Sequence, residues 1–84
     1  MIKLLTIQQP APWKLELEFS DHTHGLFDGQ TYLDNHKGPL LDPLRDPSFF
    51  ARAFVDGGAL CWPNGLELSP QRLKELVSHA VDAQ

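Results

Sequence analysis

The residues whose types and spacing best suit chemistry are His22 and His24. Two histidines two positions apart on a strand present both rings to one side, and their ring nitrogens are ready ligands for a divalent metal. Asp21, Asp28 and His36 lie close enough in sequence to complete a set, which would support metal-dependent hydrolysis. The competing reading is plainer: Ser20-Asp21-His22-Thr23 is a polar run of turn formers, and histidines there sit in solvent. A metal site needs three or four converging ligands, and nothing in this spacing demands convergence.

Cys61 with a histidine offers a second option, a thiolate nucleophile, which needs an exposed and electropositive setting. Cys61 instead falls in the apolar run Ala59-Leu60-Cys61-Trp62, where a cysteine is an ordinary core residue. The carboxylates Asp42, Asp46, Asp56 and Glu67 are spread over predicted turns and caps and form no acid–base pair by spacing. A Walker loop, a Gly-x-Gly-x-x-Gly turn and a His-Glu-x-x-His helix are all absent from the sequence. The expectation is therefore no catalytic residues, no bound metal and no cofactor. Aromatic rings are enriched at binding hot spots, so Trp13, Tyr32 and Trp62, with Phe27, are the candidate partner-binding residues, the core being the competing place for the two tryptophans.

The elements that must position these residues follow from periodicity. Ile2, Leu4, Thr6 and Ile7 predict a first strand that stops near Pro10 and Pro12, because proline cannot donate to a ladder. Trp13, Leu15, Leu17 and Phe19 alternate with Lys14, Glu16 and Glu18, the period-two pattern of a strand with one wet face. The polar run at 20–23 reverses the chain into a short strand over His24–Asp28. Residues 29–39 read as a loop anchored by Tyr32 and Leu33.

Asp46-Pro47 predicts a capped helix over residues 47–52 that carries Phe49 and Phe50. Phe54-Val55 and Ala59-Leu60-Cys61-Trp62, joined by Asp56-Gly57-Gly58, predict a second hairpin. Pro63-Asn64-Gly65 turns the chain so that Leu66 and Leu68 point inward. Ser69-Pro70 opens a final helix whose stripe is Leu73, Leu76, Val77, Ala80 and Val81. The expected fold is α+β: a small antiparallel sheet of about five strands packed against the C-terminal helix, with one short helix between strands, all in one domain spanning residues 1–84.

Composition narrows the class of partner. At 84 residues the chain suits one small domain, and its 42% hydrophobic and 21% charged content is ordinary globular usage. A formal charge of −4, with basic residues scattered along the chain, disfavours direct nucleic-acid binding and attraction to anionic membranes. One cysteine, no run of about 18 apolar residues and no apolar leader segment point to the reducing cytoplasm and to no membrane span.

Two stretches carry a resemblance. Leu44-Arg45-Asp46-Pro47-Ser48-Phe49-Phe50 and Leu60-Cys61-Trp62-Pro63-Asn64-Gly65-Leu66-Glu67-Leu68-Ser69-Pro70 resemble the bacterial domain-of-unknown-function family 2442. Asp46, Pro47, Phe50, Trp62, Pro63, Asn64, Gly65, Ser69 and Pro70 are the structural motif positions. Leu15-x-Leu17-x-Phe19-Ser20-Asp21 fits the family's strand and acidic turn, with His22 where a glycine is common and Glu67 where an aspartate is common. The resemblance implies a small α+β fold found alone, joined to a helix-turn-helix segment, or encoded beside a small toxin-like protein. It brings no catalytic residues.

The leading expectation is a non-catalytic protein-binding or regulatory module, antitoxin-like, whose partner is a small basic protein; association with a second copy is left open. A dimeric nucleic-acid-binding transcriptional regulator is the alternative, and a metal-dependent hydrolase using His22 and His24 is the third.

Overall fold

The computed structural model of the chain describes residues 1–77. Alternating hydrophobicity builds the first layer. Strands β1 (Leu4–Ala11), β2 (Lys14–Phe19) and β3 (His24–Asp28) form an antiparallel meander in that order. Leu15, Leu17 and Phe19 of the central strand are buried, as are Leu4 and Phe27 on its neighbours, while Glu16 and Glu18 face away. The β2–β3 register, Leu15 opposite Phe27 and Leu17 opposite Gly25, keeps the buried apolar residues of the two strands on one face and leaves Leu26 beside Glu16 on the other.

Strand β1 ends between Pro10 and Pro12, as expected. It runs through Pro10 to Ala11. The ladder shifts register between Leu4 and Thr6 and again between Gln8 and Ala11, each shift adding one residue to β1. A proline on an edge strand, inside such an irregularity, forfeits no needed ladder bond. Trp13 turns the chain into β2 at φ 59°, and His22 turns it into β3 at φ 72°. Both values lie in the left-handed region that glycine enters without steric cost.

Residues 29–39 depart from the loop expectation, because Gly29–Asn35 is a helix, α1. Its start is specified by the Asp28 carboxylate, which accepts from the Thr31 N–H at 3.2 Å, and Leu33 is its buried anchor. Seven residues are too few for a clear 3.6-residue period, which is why the pattern read as loop. A short 3-10 turn follows at Asp42–Arg45. Helix α2 is Pro47–Phe50, shorter than residues 47–52, with Asp46 as its cap through the Ser48 N–H at 3.1 Å.

The expected single sheet of about five strands is instead two three-stranded antiparallel sheets. The second comprises β4 (Phe54–Asp56), β5 (Ala59–Cys61) and β6 (Glu67–Leu68). Gly57 and Gly58, at φ 61° and 82°, make the two-residue turn between β4 and β5. Strand β6 is only two residues long, held by pairing with Leu60 and Cys61, and has too little length for any alternation to show. The sheets meet where the Leu4 N–H donates to the Gly58 carbonyl at 2.9 Å.

Helix α3 is Pro70–Leu76, capped by the Ser69 hydroxyl, which accepts from the Arg72 N–H at 3.1 Å. Leu73 is fully buried and Val77 nearly so, and Val77 packs over Gly25 of β3. The stripe positions Ala80 and Val81 lie outside the described residues. One hydrophobic core unites both sheets and α1, α2 and α3, with Phe27, Phe50 and Trp62 in consecutive ring contact at its centre.

Candidate functional site

The face of the first sheet that turns away from the core is a polar surface, and no other described element covers it. Strand β2 places Glu16 and Glu18 there, two residues apart and so on the same side. Register sets their neighbours: Glu16 lies between Gln8 and Leu26, and Glu18 between Thr6 and His24. The Thr6 hydroxyl donates to Glu18 Oε1 at 3.2 Å. At the end of the face nearest the β1–β2 turn, Lys14 and Asp28 form an ion pair at 3.1 Å and cancel each other's charge. Among the described residues, the two glutamates are therefore the uncompensated charges of this surface. A concavity of about 350 Å³ lies over it, bordered by Thr6, Gln8, Glu16, Glu18, His24 and Leu26.

The histidines do not converge. His22 is in the turn and His24 on β3, so they do not share the face of one strand. Their predicted companions have other engagements. Asp21 accepts from the Thr23 hydroxyl at 2.6 Å and from Lys74 at 3.1 Å, and these contacts, the Thr23 hydroxyl first, hold its carboxyl down at about 2. Asp28 caps α1, and the Thr31 N–H followed by Lys14 keeps its carboxyl below the usual range. His36 lies beyond α1, where Nδ1 donates to the Tyr32 carbonyl at 2.9 Å and the ring stacks on Tyr32 with centroids 4.2 Å apart. Among the described residues no group of three or more His, Cys, Asp or Glu side chains is arranged to hold a metal ion.

Cys61 is buried in β5, and burial, reinforced by the nearby Glu67 and Asp56 carboxylates, pushes its thiol above the ordinary range. Such a thiol is a poor nucleophile at neutral pH. Asp42 pairs with Arg45 at 3.6 Å, Asp46 caps α2, and Asp56 and Glu67 lie on short strands of the second sheet.

The aromatic candidates divide. Trp62 is 1% exposed and its indole donates to the Phe50 carbonyl at 3.0 Å, placing it inside the core. Trp13 is half-buried and donates to the Leu44 carbonyl at 3.0 Å, tying the β1–β2 turn to the 3-10 segment. Tyr32 is half-buried between Phe27 and His36 and borders a smaller hollow with Leu26 and Leu76. The three aromatics thus occupy three separate places.

The motif residues are scaffold. Asn64 donates to the Leu40 carbonyl at 2.9 Å and accepts from the Leu66 N–H at 3.2 Å, clamping the turn after β5 against the segment that precedes the 3-10 helix. Glu16 and Glu18 are candidate site residues that sequence reasoning passed over. Their alternation marked a wet face, but whether another element covers that face is a tertiary property.

No helix among the described residues is long and apolar enough to cross a membrane. No curated protein and no solved structure matches the chain. A family model described as "Protein of unknown function (DUF2442)" matches residues 9–78.

Proposed function

This chain belongs to the DUF2442 family of proteins of unknown function, and from that membership and the geometry above we propose that it is a non-catalytic protein-binding module. The observation that carries the reading is the outer face of the β1–β2–β3 sheet, which is concave, charged and covered by no other described element. The side chains with chemical potential elsewhere serve as caps, ion pairs or core: Asp21, Asp28, Asp46 and Cys61 are each engaged or buried. A regulatory or antitoxin-like role would act through the protein bound at this face.

Charge speaks against the nucleic-acid alternative. Lys14, Arg45, Arg72 and Lys74 are each ion-paired with a carboxylate of the same chain, and the sheet face carries the wrong sign for phosphate. Site-specific photo-cross-linking in the native host tests the proposal. A cross-linker at Gln8 or Leu26 is expected to capture a discrete protein that the same cross-linker at Arg52, in the turn after α2, does not. Identical adduct patterns from all three positions, or none, would overturn it.

A further inference from the structure

We infer that the outer face of the first sheet takes a basic amphipathic helix from a partner protein. The inference rests on the binding-module reading and adds the kind of partner. Dimensions come first. Three strands about 4.8 Å apart span roughly 10 Å between the outer two, which one helix of about 10–12 Å diameter covers. A helix laid there would complete a layer that the described residues do not themselves supply, since their core packs the opposite face.

Charge selects the helix. Glu16 and Glu18 are separated by two strand residues, roughly 6.8 Å, close to the roughly 6 Å rise between positions i and i+4 of a helix. Lysine or arginine at i and i+4 can therefore meet both carboxylates. The Lys14–Asp28 pair neutralises the end of the face, so the attraction centres on the two glutamates. Leu26, half-buried beside Glu16, offers apolar contact to the stem of a long basic side chain. Thr6 and Gln8 form the polar rim. A second copy of the chain is the poorer occupant: the basic residues of α3, Arg72 and Lys74, already face Glu75 and Asp21.

An alanine-based helical peptide of about 15 residues, with lysine at i and i+4, serves as the probe, and the same peptide with glutamate there is the control. Amide shifts are expected to cluster at Thr6, Gln8, Glu16, Glu18 and Leu26, to weaken with added salt, and to be absent with the control peptide. The double variant Glu16→Lys/Glu18→Lys should weaken binding about tenfold or more, and Glu16→Gln/Glu18→Gln by a smaller factor, so a folding defect in the first leaves the second to decide. Shifts located elsewhere, no binding, or binding indifferent to these substitutions would overturn the inference. A protein cross-linked through Gln8 or Leu26 whose capture survives both double variants would leave the module standing and remove the basic helix.

Discussion

Asp21 illustrates how much one exposed side chain can be committed. It accepts from the Thr23 N–H at 3.1 Å, from the Thr23 hydroxyl and from Lys74, whose ammonium also lies 5.1 Å from the centre of the Phe19 ring. The set pins α3 to the β2–β3 turn. Its carboxyl is held at about 2 from an ordinary 3.8, so the contribution to stability is fully present above pH 4 and is lost as pH falls through about 2. Asp21→Asn should flatten that part of the acid-denaturation curve relative to wild type, and superimposable curves between pH 4 and pH 2 would contradict the assignment. His22 supplies an opposite case. At φ 72° it occupies a conformation that costs an L-residue about 1 kcal/mol and that glycine adopts without steric cost. His22→Gly is expected to raise stability by up to about 1 kcal/mol in urea titration, the gain being trimmed by the entropy of the unfolded glycine.

Elements are joined here by close approaches. A Cβ at Gly29 would meet the Phe50 ring and the Trp13 carbonyl oxygen, and the Gly29 N–H donates to that same oxygen at 2.6 Å. The first residue of α1 therefore sits against both the β1–β2 turn and the α2 aromatic, and only a residue without a side chain fits. Gly29→Ala should cost about 1–3 kcal/mol, read as a lowered denaturation midpoint. On α3 the stripe is unequal. Leu73 is 0% exposed, whereas Leu76 is only partly buried at the edge of the core. Leu73→Ala is expected to cost about 2–5 kcal/mol and Leu76→Ala clearly less, and a reversed order would mean that the helix is rotated. Periodicity located both residues on one stripe but could not rank them, since rank depends on what lies opposite.

At the scale of the molecule, two small sheets behave as one body because they share one core. Phe27 belongs to the first sheet, Trp62 follows β5 of the second, and Phe50 of α2 touches both rings. Each sheet buries its apolar face against that shared core and not against a core of its own. Thermal or urea unfolding should accordingly be a single transition, coincident by tryptophan fluorescence and far-ultraviolet circular dichroism. Two separated transitions would show that the sheets fold independently. The same arrangement leaves the first sheet with one face in the core and one in solvent, and that exposed side carries the proposed binding function.

Local features were determined by the sequence alone. The alternation of β2, the β3 return strand, the Gly57-Gly58 turn and the caps Asp46 and Ser69 all rest on interactions within a few residues, so their signals are complete in short windows. The α+β class and the family signature were legible for the same reason. Tertiary structure decided the rest. Division into two sheets depends on which strand edges find partners, α1 is helical because Asp28 caps it and the core receives Leu33, and the tryptophan indoles are spent on the distant carbonyls of Leu44 and Phe50. Glu16 and Glu18 became a surface with a shape only when β1 and β3 flanked them and no other described element covered them. A side chain's type is written locally, whereas its company is fixed by contacts far apart in the chain, and a binding face is made of company.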